Sequence, residues 1–124
     1  MRTLLVALFL LLSLASGFAA TAKLAWDAPS GLVGVTVVSY NVKRATVAGG
    51  PYVKVNLNPI TVLPTDALPW YDSTVPNSPG GAKYYYVVTA MFSDATESAA
   101  SNEAFFVSPV VVQKGPPENN RIVP

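Results

Sequence analysis

The chain has 124 residues, with 8 Lys plus Arg against 7 Asp plus Glu, and contains neither Cys nor His. Those two absences remove a disulfide framework, a zinc site of the usual Cys/His type, and any Ser-His or Cys-His nucleophile pair. A formal net charge of +1 provides no electrostatic footprint for nucleic acid or an anionic lipid surface.

The N-terminus is organised as an export signal. Arg2 supplies a positive start, Leu4 to Leu12 is unbroken apolar sequence, and small residues follow from Ala15 to Ala20. The run is shorter than the roughly 20 apolar residues a spanning helix needs. Gly17 and Ala19 suit the −3 and −1 positions of signal peptidase, which predicts cleavage after Ala19. Ala20 and Ala22 also fit, but a cut after Ala22 would trim the first strand of the domain. The predicted organisation is a signal peptide over 1–19, a β-domain over 20–108 and a C-terminal tail over 109–124. No Cys is present to carry a lipid. The expected location is secreted, extracellular or periplasmic, with no membrane contact after cleavage. Loss of Arg2 leaves the mature side chains near neutral, and about 105 residues suffice for one domain with a modest core.

In chain order, Lys23–Trp26 alternates, with Leu24 and Trp26 on one face, and Asp27–Gly31 breaks it. Val35–Ala45 is extended, with Val38, Tyr40 and Val42 facing one way and Ser39, Asn41 and Lys43 the other. Ala48-Gly49-Gly50-Pro51 reads as a hairpin loop and Tyr52–Val55 as a short returning strand. Pro59, Pro64 and Pro69 mark a looping segment, because proline does not sit in a central strand. Trp70–Val75 forms another short strand, and Pro76–Gly81 is the strongest turn cluster. Tyr84–Phe92 is the strongest strand, with Tyr84, Tyr86, Val88 and Ala90 on one face and Tyr85, Val87 and Thr89 on the other. Ser93–Ser98 is a polar turn. Asn102–Val107 is the last strand, which Val110–Val112 extends or leaves to the tail. Short strands with turns between them predict an all-β sandwich, with a small barrel as the alternative.

In this order the pieces resemble the fibronectin type III family from about Leu24 to Val107. Leu24-Ala25-Trp26-Asp27-Ala28-Pro29 is similar to its second strand. Ser39–Arg44 resembles its third, Gly50–Val55 the following hairpin, and Tyr71–Val75 its fifth strand. Tyr84–Ala90 resembles its sixth strand with the corner tyrosine at Tyr84, and Glu97-Ser98 with Ser101-Asn102-Glu103 resembles the turn into the last. The resemblance implies an immunoglobulin-like antiparallel sandwich of about six to seven strands and a non-enzymatic extracellular module. The family's first strand should precede Leu24 by about ten residues, so cleavage after Ala19 predicts a first strand that is short or missing, and an edge open to pairing.

Two aromatic residues are the candidate surface-binding positions. Alternation with a buried Tyr71 sends Trp70 outward, where it either offers a stacking platform or folds back to cap the sandwich edge. Tyr85 is the outward member of the Tyr84–Tyr86 run. The carboxylates Asp66, Asp72, Asp94, Glu97 and Glu103 all read as solvated positions in turns and at strand ends, so no catalytic residue, metal site or cofactor is assigned. The expected function is a secreted binding or scaffold module with a protein or polysaccharide partner and no nucleic acid. The alternatives are a structural subunit of a surface assembly joined by edge-strand pairing or self-association, and a carbohydrate-binding module using Trp70 and Tyr85.

Overall fold

A computed structural model describes residues 8–11, 21–76, 80–109 and 122. The cleavage point after Ala19, the middle of the Pro76–Gly81 turn and the Val110–Val112 run lie outside the described residues. The strands are β1 (Leu8–Leu11), β2 (Ala22–Trp26), β3 (Val37–Ala45), β4 (Val53–Lys54), β5 (Trp70–Asp72), β6 (Lys83–Phe92) and β7 (Ala104–Val107). They form two antiparallel sheets, one of order β1-β2-β5 and one of order β4-β3-β6-β7. The predicted sandwich and its strand sequence are both present.

The core lies between the inner faces. Leu24 and Trp26 of β2 meet Tyr40 and Val42 of β3, and Tyr84, Tyr86, Val88, Ala90 and Phe92 of β6, with Phe106 of β7. Each of the larger side chains contributes about 1.5–3 kcal/mol by leaving water. Trp26 meets Tyr40 edge to face, with ring centroids 5.4 Å apart at 66°. Its assignment to the core follows from the alternation of β2.

In β3 the alternation slips once. A bulge between Val37 and Ser39 turns Val38 outward, where it is 51% exposed, and packs Val37 against the core instead. An extra residue in one strand flips the parity of everything beyond it. From Tyr40 onward the predicted faces hold.

Beyond the short strands, side chains extend the ladders. Asn56 is buried, and its Oδ1 accepts from Val42 N at 2.8 Å where β4 has already ended. Ser98 and Ser101 lie along β6 before β7 begins. Their hydroxyls accept from Ala90 N and Val88 N at 2.8 Å, while their own N–H groups donate to the carbonyls of the same two residues. These polar residues look like turn sequence, yet they satisfy the backbone of a central strand that would otherwise be left bare. The last strand accordingly starts at Ala104, two residues later than the alternation suggested.

The segment from Val55 to Pro69 closes one flank. Ile60 bridges to Tyr40 of the four-stranded sheet, and Pro64 O accepts from Trp26 N of the three-stranded sheet at 3.4 Å. This loop and β5 build the walls of the site described next.

The first strand is β1. The four residues Leu8–Leu11 lie antiparallel to β2, pairing Leu8 with Trp26 and Leu11 with Lys23. A first strand is thus present and short, and it is drawn from the segment whose sequence reads as the export signal. Ala22, the other candidate cleavage point, is the first residue of β2 and is fully buried.

Candidate functional site

The inward parity of β3 that places Tyr40 and Val42 in the core also carries Arg44 inward. A half-buried guanidinium is stabilised by a carboxylate within reach, and Asp72 at the end of β5 provides it. Arg44 Nη1 donates to Asp72 Oδ2 at 2.9 Å, and the Tyr86 hydroxyl donates to the same oxygen at 2.7 Å. Asp72 Oδ1 accepts from the Thr74 backbone N–H at 2.9 Å and from its hydroxyl at 2.5 Å. Arg44 also donates to the Thr74 hydroxyl at 3.0 Å and lies over the Tyr84 ring. One carboxylate therefore ties β5 of the smaller sheet to β3 and β6 of the larger.

Asp72 was expected in solvent and is 1% exposed. Burial alone would raise its pKa. The hydrogen bonds from Thr74 and Tyr86, together with the Arg44 charge, outweigh that and hold the carboxyl below its ordinary value. Burial and the neighbouring carboxylate push the Tyr86 phenol well up, so it stays a donor.

The same network fixes the aromatic residues beside it. With Asp72 inward, Trp70 two residues earlier shares its face and packs half-buried against the core. Tyr71 points out and is 50% exposed, with Lys23 Nζ 5.6 Å from its ring centroid. This inverts the predicted alternation, in which Tyr71 was the buried member and Trp70 the outward one. The capping position considered for Trp70 is the one it takes.

Trp70 forms part of the wall of an open groove of about 550 Å³ between β5 and the Val55–Pro69 loop. Asn58, Thr61 and Thr65 are the polar residues along its lining, while the Asn56 amide beneath them is taken up by Val42 N, Asn41 and the Asn58 carbonyl. The exposed side chains of Leu57, Val62 and Leu68 add apolar surface. Sequence reasoning missed this groove because its walls come from proline-rich sequence with no period.

Tyr85 is half-buried on the other sheet. Its ring is 6.4 Å from that of Phe105 of β7, over which Lys83 Nζ lies at 5.2 Å. Trp70 and Tyr85 thus belong to opposite sheets, and the structure does not bring them together as one site.

The other paired carboxylates are held in networks of their own. Glu97 Oε1 accepts from Lys43 Nζ at 2.8 Å and from the Thr89 hydroxyl at 2.6 Å, and these bonds lower its pKa. Glu103 accepts from the Tyr52 hydroxyl and, at 2.8 Å, from Gly49 N, pinning the β3–β4 hairpin to the approach of β7. That hairpin needs Gly50, at φ 97°, where a Cβ would come within 3.0 Å of the Tyr52 ring. Among the described residues, no three of Asp, Glu, His and Cys gather as metal ligands.

Comparison with known proteins agrees with this architecture. A crystal structure of an Fn3-like protein from Clostridium thermocellum superposes with a TM-score of 0.57 at 38% identity, covering 80% of this chain and 84% of that one. Titin module A71 from human cardiac muscle superposes with a TM-score of 0.54 over 67% of this chain and 72% of the module, and at 23% identity it shares the fold. Among curated proteins, an amylopullulanase of Thermoanaerobacter thermohydrosulfuricus is 46% identical over 66 residues. That match takes in 53% of this chain and 4% of the enzyme's length. No family model matches. With a β1-β2-β5 sheet facing a β4-β3-β6-β7 sheet, and a relative 38% identical over most of both chains, the protein belongs to the fibronectin type III family.

Proposed function

We propose that the chain is a non-catalytic module exported to sites of polysaccharide breakdown, where it contacts a glucan through the groove beside Trp70. The observation that carries this reading is the groove's lining. An indole beside exposed aliphatic side chains, with Asn58 and Thr61 on the same wall, is a combination suited to the apolar faces and the hydroxyls of a sugar. The 66-residue likeness to a segment of an amylopullulanase supports an α-glucan as the class. Support for a non-catalytic role comes from the carboxylates. Asp72, Glu97 and Glu103 each belong to a separate network that joins strands or loops. A glycosidase needs two carboxyls flanking one bond.

Affinity electrophoresis in gels containing pullulan or amylose tests this. The expected result is retardation of the wild-type chain that is lost in Trp70→Ala and weakened in Leu57→Asp. Leu57 is 93% exposed, so that variant keeps the fold intact while placing a charge in the groove. Tyr85→Ala, on the other sheet, should migrate as wild type. Equal mobility with and without glucan, or retardation indifferent to both groove variants, overturns the reading.

A further inference from the structure

Leu8–Leu11 carries two assignments that cannot both last. It lies within the Leu4–Leu12 run that the sequence marks as the apolar part of an export signal. It is also the outer strand of the three-stranded sheet, with Leu8 opposite Trp26, Phe9 opposite Ala25, Leu10 opposite Leu24 and Leu11 opposite Lys23. It lies against β7 of the other sheet as well. The place it takes is therefore a slot: β2 supplies the ladder and β7 forms the flank. The far edge of β2 is already taken by β5, from Ala22 opposite Asp72 to Leu24 opposite Trp70.

We propose that processing after Ala19 turns this slot into a strand-acceptor site, in which the β2 edge from Lys23 to Trp26 pairs antiparallel with an extended apolar segment of another polypeptide. The proposal rests on the export reading above. Removing β1 uncovers backbone groups on a strand whose residues Leu24, Ala25 and Trp26 are otherwise at most 2% exposed. An uncovered strand edge of this kind recruits another strand. Natural sheets blunt such edges with charges or proline; on this edge Lys23 at one end is the single charge, and Leu24-Ala25-Trp26 carries neither.

The structure also indicates the chemistry of the occupant. The segment seated there is Leu-Phe-Leu-Leu, apolar at every position and free of proline. The slot holds one strand between β2 and β7. Pairing the β2 edges of two copies would put an entire second sandwich where one strand fits, so the occupant is a single extended segment.

The test uses the full chain, with its own N-terminus, exported by a bacterial host. Intact mass defines the N-terminus of the purified protein. The protein is then titrated with a fluorescent peptide of the 6–12 sequence carrying a lysine-rich solubilising tail, and with the same peptide bearing Leu10→Pro. The expected result is a chain beginning at Ala20 that binds the first peptide saturably and the second at least about tenfold more weakly, since proline cannot donate to the ladder. Both peptides share the tail, so attraction through the tail cancels. If the chain begins at Ala20 and the titration is flat, or both peptides bind alike, the acceptor site is refuted while export stands. A purified chain that keeps Met1 refutes export, and the proposal with it, because the slot then remains filled.

Discussion

Strands β5 and β6 are both rich in aromatic residues, both follow a turn or loop, and both place a tyrosine on the outer face. In β6, ten residues long and flanked by β3 and β7, every inward position falls where alternation puts it. In β5, three residues long, the two aromatics are reversed: Trp70 turns in and Tyr71 out. The parity of a long strand is set by many apolar side chains acting together, and no single one can overrule the rest. A three-residue strand has no such majority. Its parity is set by its most demanding residue, and Asp72, with four hydrogen bonds waiting inside, outweighs the preference of a tyrosine ring for burial.

This contrast can be broken or sharpened by substitution. The largest effect is expected in β6, where Phe92→Ala opens a cavity and costs about 3–5 kcal/mol in urea unfolding. In β5, Asp72→Ala leaves Arg44 without its carboxylate. Removing one partner of a buried pair costs about 3–5 kcal/mol, and the partial exposure of Arg44 reduces this to roughly 2–4 kcal/mol. Tyr86→Phe keeps the ring and removes one donor to Asp72, for a loss of about 1–2 kcal/mol in the same assay. The smallest effect separates the two strands most sharply. Tyr71→Ala should change stability by no more than about 0.5 kcal/mol, as for an exposed position. A loss of about 3 kcal/mol or more would mean that Tyr71 is a core residue after all.

The same residues show how far the sequence could be read. The alternation of β2, β3 and β6 and the spacing of the turns pointed to the sandwich, because those strands are long or bury large side chains, and the family resemblance supplied the identity of each strand. Trp26 and Tyr84 were legible as structural residues for the same reason. The Asp72 network was not read, although a signal for it existed: Arg44 follows Val42 by two residues and so starts from the inner face, which favours a carboxylate nearby. The ladder roles of Asn56, Ser98 and Ser101 leave no periodic trace, since each is a single polar side chain standing in for a strand residue. The groove was hidden in the proline-rich segment for the same reason. Trp70 was placed on the wrong parity, and it and Tyr85 lie on different sheets because sequence alternation assigns faces within a strand but does not say which sheet the strand joins.

The central claim is that a buried, ionised Asp72 sets the parity of β5 and thereby the wall of the groove. The most direct test is urea unfolding of wild type and Asp72→Asn from pH 7 to pH 2. The folded pKa of Asp72 lies below its ordinary value of 3.8, so the stability it confers is complete above about pH 4 and fades as the pH falls through the folded value. Wild type should exceed the variant in stability at pH 7, with the gap narrowing steadily below about pH 4 as Asp72 takes up its proton. A gap that stays constant down to pH 2, or no gap at pH 7, would contradict the claim.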